Sequence, residues 1–185
     1  MLSILKLSLF LHAAIAPVVP TTFVATPEQS YTAIMHIYPH VLRRQCLIAR
    51  RDHIVSNIAA SQQVHNVPPA VITAIGFAET HLGCDHGEGG GWGAPISPTR
   101  RHIAGTPLHA ARALATSYRV CGNWNGAVRR FRTGLCHSTR VGDQYMNNVI
   151  HLINRIERNA IAGNTPTVST EPTASMAIGD QIPRF

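Results

Sequence analysis

The sequence predicts a mostly α-helical, compact domain with one long glycine-rich loop. Three observations carry this. Apolar residues recur at helical rather than alternating spacing between about residues 46 and 160. Proline and glycine punctuate that stretch where helices start and stop. Alternating runs of β-branched and aromatic residues are nearly absent. The chain has 185 residues, 45% hydrophobic and 14% charged, which excludes an intrinsically disordered protein and suits one domain with short extensions. Its 14 glycines and 12 prolines are too few and too aperiodic for a collagen-like or low-complexity protein. No interior stretch reaches the roughly 20 apolar residues of a membrane-spanning helix.

Taken in order, residues 1–25 read as a signal-like segment. Met1–Lys6 carries one positive charge, Leu7–Ile15 is apolar apart from His12, and Ala14-Ile15-Ala16 has the small-x-small pattern of a cleavage site. This segment implies export, with transient membrane contact. Residues 26–45 read as linker and first helical turn, after the prolines at Pro17, Pro20 and Pro27. The folded domain is expected over 46–160, and 161–185, rich in Thr, Ser and Pro, reads as a flexible tail.

Within the domain, Leu47, Ile54, Val55, Ile58 and Ala59 fall on one helical face. Val67-Pro68-Pro69 ends that run and opens a second helix through Ala70–Thr80, since proline is tolerated in a first turn. Gly83–Ser97 contains six glycines and reads as a loop. Thr106-Pro107 is an N-cap and first-turn proline, Ala111, Leu114, Ala115 and Tyr118 form the stripe of the next helix, and Gly122 ends it. A short helix follows over about Asn125–Arg132, closing at Gly134. Tyr145, Val149, Leu152 and Ile156 mark a last helix near 141–160.

The formal net charge is +7, and of 16 basic residues only Lys6 is lysine. Such a chain is drawn to polyanions. The arginines are scattered and no nucleic-acid-binding motif accompanies them, so a nucleic-acid partner is not expected. Cys46, Cys84, Cys121 and Cys136 are even in number and form no C-x-x-C pair, which points to two disulfides in an oxidising compartment. Spacing leaves all three connectivities open. His81, Cys84, Asp85 and His86 are dense, but without an H-E-x-x-H pattern, and with Cys84 better used in a disulfide, no metal or cofactor is expected.

Only nine residues are acidic. Glu28, Glu171 and Asp180 fall in linker or tail; Asp52 and Glu157 sit among arginines and read as surface ion pairs. Glu79 differs, because it ends an apolar helix. The helix dipole and apolar neighbours disfavour a negative charge there, which suits a general acid. The plainer reading is a helix-end acid satisfied by an arginine. Trp92, among glycines, would either stack on a sugar ring or anchor the loop in the core.

Three motifs in sequence resemble one family. Val67-Pro68-Pro69 precedes a helix ending Glu79-Thr80-x-x-Gly83; Gly89-Gly90-Gly91-Trp92-Gly93-Ala94-Pro95-Ile96 follows; then comes Ala127-Val128-Arg129-Arg130-Phe131-Arg132-Thr133-Gly134. This order resembles the lytic transglycosylase and goose-type lysozyme superfamily over roughly residues 50–158. The resemblance implies a lysozyme-like helical domain whose glycine-rich loop lies beside an active-site cleft. It implies a peptidoglycan lytic transglycosylase in which Glu79 protonates the β-1,4 link between N-acetylmuramic acid and N-acetylglucosamine and then acts as base. Thr80, Trp92, Gly93, Ile96, Phe131 and Arg132 are the substrate-binding residues it implies. It also implies Cys84–Cys136 and Cys46–Cys121 pairing, since the two loops flank the cleft. The expected partners are peptidoglycan strands, in the periplasm or cell envelope, or in a phage particle. Thr80 stands where the family usually has Ser, Phe131 where it has Tyr, and Arg132 where it has Asn; Pro95-Ile96-Ser97 lacks its Gln. These departures support an alternative, a catalytically weakened glycan-binding or structural relative within an envelope or virion assembly.

Overall fold

A computed structural model describes residues 22–85, 92 and 106–164. Seven helices are found among them: α1 (Pro27–Ile37), α2 (Arg44–Ala49), α3 (Arg51–His65), α4 (Pro69–Thr80), α5 (Pro107–Cys121), α6 (Trp124–Thr133) and α7 (Arg140–Asn164). The described residues contain no strand, as the missing period-2 pattern predicts.

Helix α4 is the centre. Pro69 occupies its first turn, and ten of its twelve residues are buried, among them Val71, Ile72, Ile75 and Phe77. Burying each such large side chain contributes about 1.5–3 kcal/mol. Helices α1, α3, α5 and α7 pack around it. Local chemistry fixes the other boundaries. Asn66 ends α3 in the left-handed conformation, Thr106 caps α5 through the His109 N–H, and Asn123 caps α6 through the Gly126 N–H. Gly122 and Gly134 terminate α5 and α6 at φ values of 74° and 81°, which glycine adopts without a steric penalty.

Four expectations need correction. The segment read as linker at 26–45 holds α1 and α2, and Tyr31, Ala33 and Ile34 of α1 are buried in the core. Thr26 and Gln29 form a reciprocal capping box ahead of this helix. Glu157 is not a surface acid: it is 4% exposed, and its Oε2 accepts hydrogen bonds from the Val24 and Ala25 N–H groups at 2.9 and 3.2 Å. It therefore fastens the N-terminal arm to α7.

The expected disulfide pairing is also reversed. The bonds are Cys46–Cys84 and Cys121–Cys136, with Cα separations of 5.9 and 5.5 Å. Cys121 ends α5 and Cys136 follows α6, so the tight α5–α6 hairpin brings them together. Cys46 on α2 meets the turn after α4. Each bond constrains the unfolded chain by about 2–4 kcal/mol.

The last correction concerns Trp92, which is 1% exposed and rests on Gly76 of α4. The buried indole anchors the core and presents no free face to a sugar. A Cβ at Gly76 would stand 2.6 Å from Trp92 Cε3 and 2.8 Å from Cδ2. Gly76→Ala is therefore expected to cost about 1–3 kcal/mol by overpacking, lowering Tm by several degrees in thermal denaturation. An unchanged Tm would show that the indole is not seated on that glycine. Non-reducing peptide mapping should recover Cys46–Cys84 and Cys121–Cys136 peptides; a Cys84–Cys136 peptide would contradict the observed topology.

Candidate active site

The buried course of α4 leaves its last turn as the place where the helix reaches solvent. Ala78 is exposed there, and the Glu79 side chain is 16% exposed. Two other helices deliver polar groups to that carboxylate. Arg132, in the last turn of α6, places Nη1 3.7 Å from Glu79 Oε2. The same guanidinium lies over the ring of Tyr145, 5.5 Å from its centroid, within cation–π range. Tyr145, near the start of α7, holds its buried hydroxyl beside Glu79 as a close polar contact that stops short of an aligned hydrogen bond. Burial first, and then the Glu79 carboxylate, push the Tyr145 hydroxyl well above the usual tyrosine pKa, against the pull of Arg132. Residues 79, 132 and 145 thus converge from three helices.

The supporting contacts are specific. Ala127, Val128 and Phe131 form the buried face of α6, which turns Arg132 toward α4. Arg129 Nε pairs with Asp143 at 2.5 Å, and Ser138 also hydrogen-bonds Asp143. These contacts fix the α6–α7 corner that carries both Arg132 and Tyr145. The Ser138 hydroxyl first, and Arg129 with it, hold the Asp143 carboxyl below the usual aspartate range.

The turn after Glu79 is tightly held. His81, Leu82 and Gly83 all have positive φ, at 46°, 57° and 85°. For the first two such geometry costs of order 1–3 kcal/mol each, so the surroundings must enforce it. Thr80 Oγ1 accepts the Gly83 N–H at 2.9 Å and donates to the Gly76 carbonyl at 3.4 Å. The expected Thr80 hydroxyl thus serves the turn. Arg50 donates to the Gly83 carbonyl at 2.9 Å, and Cys84 is bonded to Cys46. Asp85 receives Arg43 at 3.0 Å and His81 at 2.5 Å.

Of the residues expected at the site, the structure brings Glu79 and Arg132 together, keeps Thr80 in the turn that follows Glu79, and places Phe131 and Trp92 in the core. Gly93, Ile96 and His86 lie outside the described residues. Tyr145 was legible only as one member of the α7 apolar stripe; a hydroxyl-bearing ring on a core-facing position is the signal that marks it. No group of three or more His, Cys, Asp or Glu among the described residues could hold a metal ion. A separate groove of about 560 Å³, lined in part by Asn66, Tyr118, Arg119 and Trp124, opens at the other end of α4. It lies roughly 16 Å from Glu79 along the helix axis.

Comparison with protein families, curated proteins and solved structures finds no match to this chain.

The ion-paired Asp85 gives a pH dependence. Burial raises its carboxyl, but the hydrogen bonds from His81 and Arg43 outweigh that and leave it below the usual aspartate range. A carboxyl depressed in the folded state adds stability that is present above its unfolded value of about 3.9 and is lost as pH falls through its folded value. Asp85→Asn should lower stability at neutral pH and flatten the loss of stability below about pH 4. Parallel acid-unfolding curves for the two proteins, followed by circular dichroism, would contradict this.

Proposed function

We propose that the protein is an exported lytic transglycosylase acting on peptidoglycan. The observation that carries this reading is the convergence of Arg132 and Tyr145 on a carboxylate that emerges at the end of a buried helix. The three-motif resemblance supplies the reaction class. Lytic chemistry of this kind needs one carboxylate that first gives and then takes a proton. Asp85, the nearest described acid in sequence, is already engaged by Arg43 and His81, which favours a single-carboxylate route over a hydrolase with a second acid. The two disulfides suit an oxidising compartment. No described helix is long and apolar enough to cross a membrane.

In this reading Glu79 gives its proton to the glycosidic oxygen as the muramoyl C1–O bond breaks. The sugar passes through an oxocarbenium-like transition state. The resulting carboxylate takes the proton of the muramoyl 6-hydroxyl, whose oxygen closes on C1 to form the 1,6-anhydro end. The proton returns to Glu79 and no water is consumed. Tyr145 holds the orientation of the carboxyl during both transfers.

A second reading, a glycan-binding relative without turnover, draws on one observation. The Arg132 guanidinium stands 3.7 Å from Glu79, a pairing that a helix-end acid with no catalytic part would also make. Assay on purified cell walls separates the two. The wild type should release anhydro-muropeptides, and Glu79→Gln should release none at an unchanged Tm. Lysis by Glu79→Gln at the wild-type rate would remove Glu79 from the chemistry. Tyr145→Phe should lower kcat by up to about tenfold, the scale of one lost polar contact of about 0.5–1.5 kcal/mol, with little effect on KM. A change confined to KM would instead place the hydroxyl in substrate binding.

A further inference from the structure

We infer that Arg132 selects substrates carrying a free carboxylate next to the scissile bond, a specificity that rests on the transglycosylase reading above. The arginines around it are committed elsewhere. Arg129 is paired with Asp143, and Arg130 donates to the Gly134 carbonyl at 3.3 Å. Arg132 is 40% exposed and meets Glu79 through one nitrogen at 3.7 Å. That distance exceeds the 2.7–2.9 Å or so of a charge-assisted hydrogen bond. The guanidinium lies over the Tyr145 ring, 5.5 Å from its centroid. A guanidinium carries five N–H donors in a rigid fork, and Glu79 uses the fork poorly.

An incoming carboxylate can take that fork by two parallel hydrogen bonds, which Lys could not reproduce. In peptidoglycan the carboxylate has two sources: the lactyl group of a muramic residue without a peptide, and the acidic residues of a stem peptide.

The test uses the full-length oxidised protein and three substrates: peptide-free strands with lactyl carboxylates, the same strands with those groups converted to neutral methylamides, and peptide-bearing strands. The wild type should favour the free-acid over the methylamide strands by about tenfold or more in kcat/KM. Arg132→Gln should bring that ratio close to one, and Arg132→Lys should leave it between the two. Equal kcat/KM on free-acid and methylamide strands, with faster cleavage of peptide-bearing strands, would move the contact to the stem peptide. The ratio of peptide-bearing to methylamide strands should then collapse in Arg132→Gln. A preference that survives Arg132→Gln and Arg132→Lys unchanged, or a wild type indifferent to all three substrates, overturns the inference. Binding of the same strands to Glu79→Gln reads the preference without turnover. Selective binding to that variant with no cleavage by the wild type would therefore sink the enzyme reading and leave the recognition standing.

Discussion

The rest of the structure depends on the burial of α4. A helix with ten of twelve residues out of solvent can carry a charge only where it leaves the core, and Glu79 sits at that exit. Every neighbouring element is arranged by the need to cover the apolar faces of α4. The resulting packing brings the ends of α6 and α7 beside its last turn. The polar constellation is in this sense a product of the core, since Arg132 and Tyr145 reach Glu79 because Phe131, Val128 and Met146 are buried behind them.

A buried helix that ends in a carboxylate meets its exit in a tight turn, and the chain restrains that turn covalently. The left-handed run at His81–Gly83 reverses the chain directly after Glu79. Helix α2 supplies the restraint: Cys46 bonds Cys84, Arg50 holds the Gly83 carbonyl, and Arg43, just before α2, holds Asp85. A short helix expected to be part of a linker is therefore the clamp on the turn that carries the candidate acid. Glu157 plays the matching part at the other end of the fold, where a buried carboxylate ties residues 24 and 25 to α7.

What the sequence made legible was local. The helices from α3 to α7 announce themselves through period-3.6 stripes and through Pro69, Pro107, Gly122 and Gly134, whose backbone preferences act on their own neighbours. Glu79 stood out because an acid ending an apolar helix conflicts with both dipole and burial. The inward face of α6, with Ala127, Val128 and Phe131, followed from the same periodicity. Non-local facts stayed hidden. Glu157 lies between arginines in sequence, and only a contact with a segment more than 130 residues away reveals its burial. The disulfide partners, the seat of Trp92 on Gly76 and the meeting of Tyr145 with Glu79 are likewise set by packing between helices, which local periodicity cannot see. Helix α1 was legible in principle: Thr26-Pro27-x-Gln29 is a capping box with a first-turn proline, masked by the prolines before it.

The central claim is that one carboxylate, Glu79, carries both proton transfers and that water takes no part. The most direct measurement is mass spectrometry of the products released from peptidoglycan in water enriched in heavy oxygen. The account predicts new muramoyl ends in the 1,6-anhydro form with no heavy oxygen incorporated. Reducing ends carrying one heavy oxygen each would show that water attacks the sugar, and would contradict the single-carboxylate mechanism.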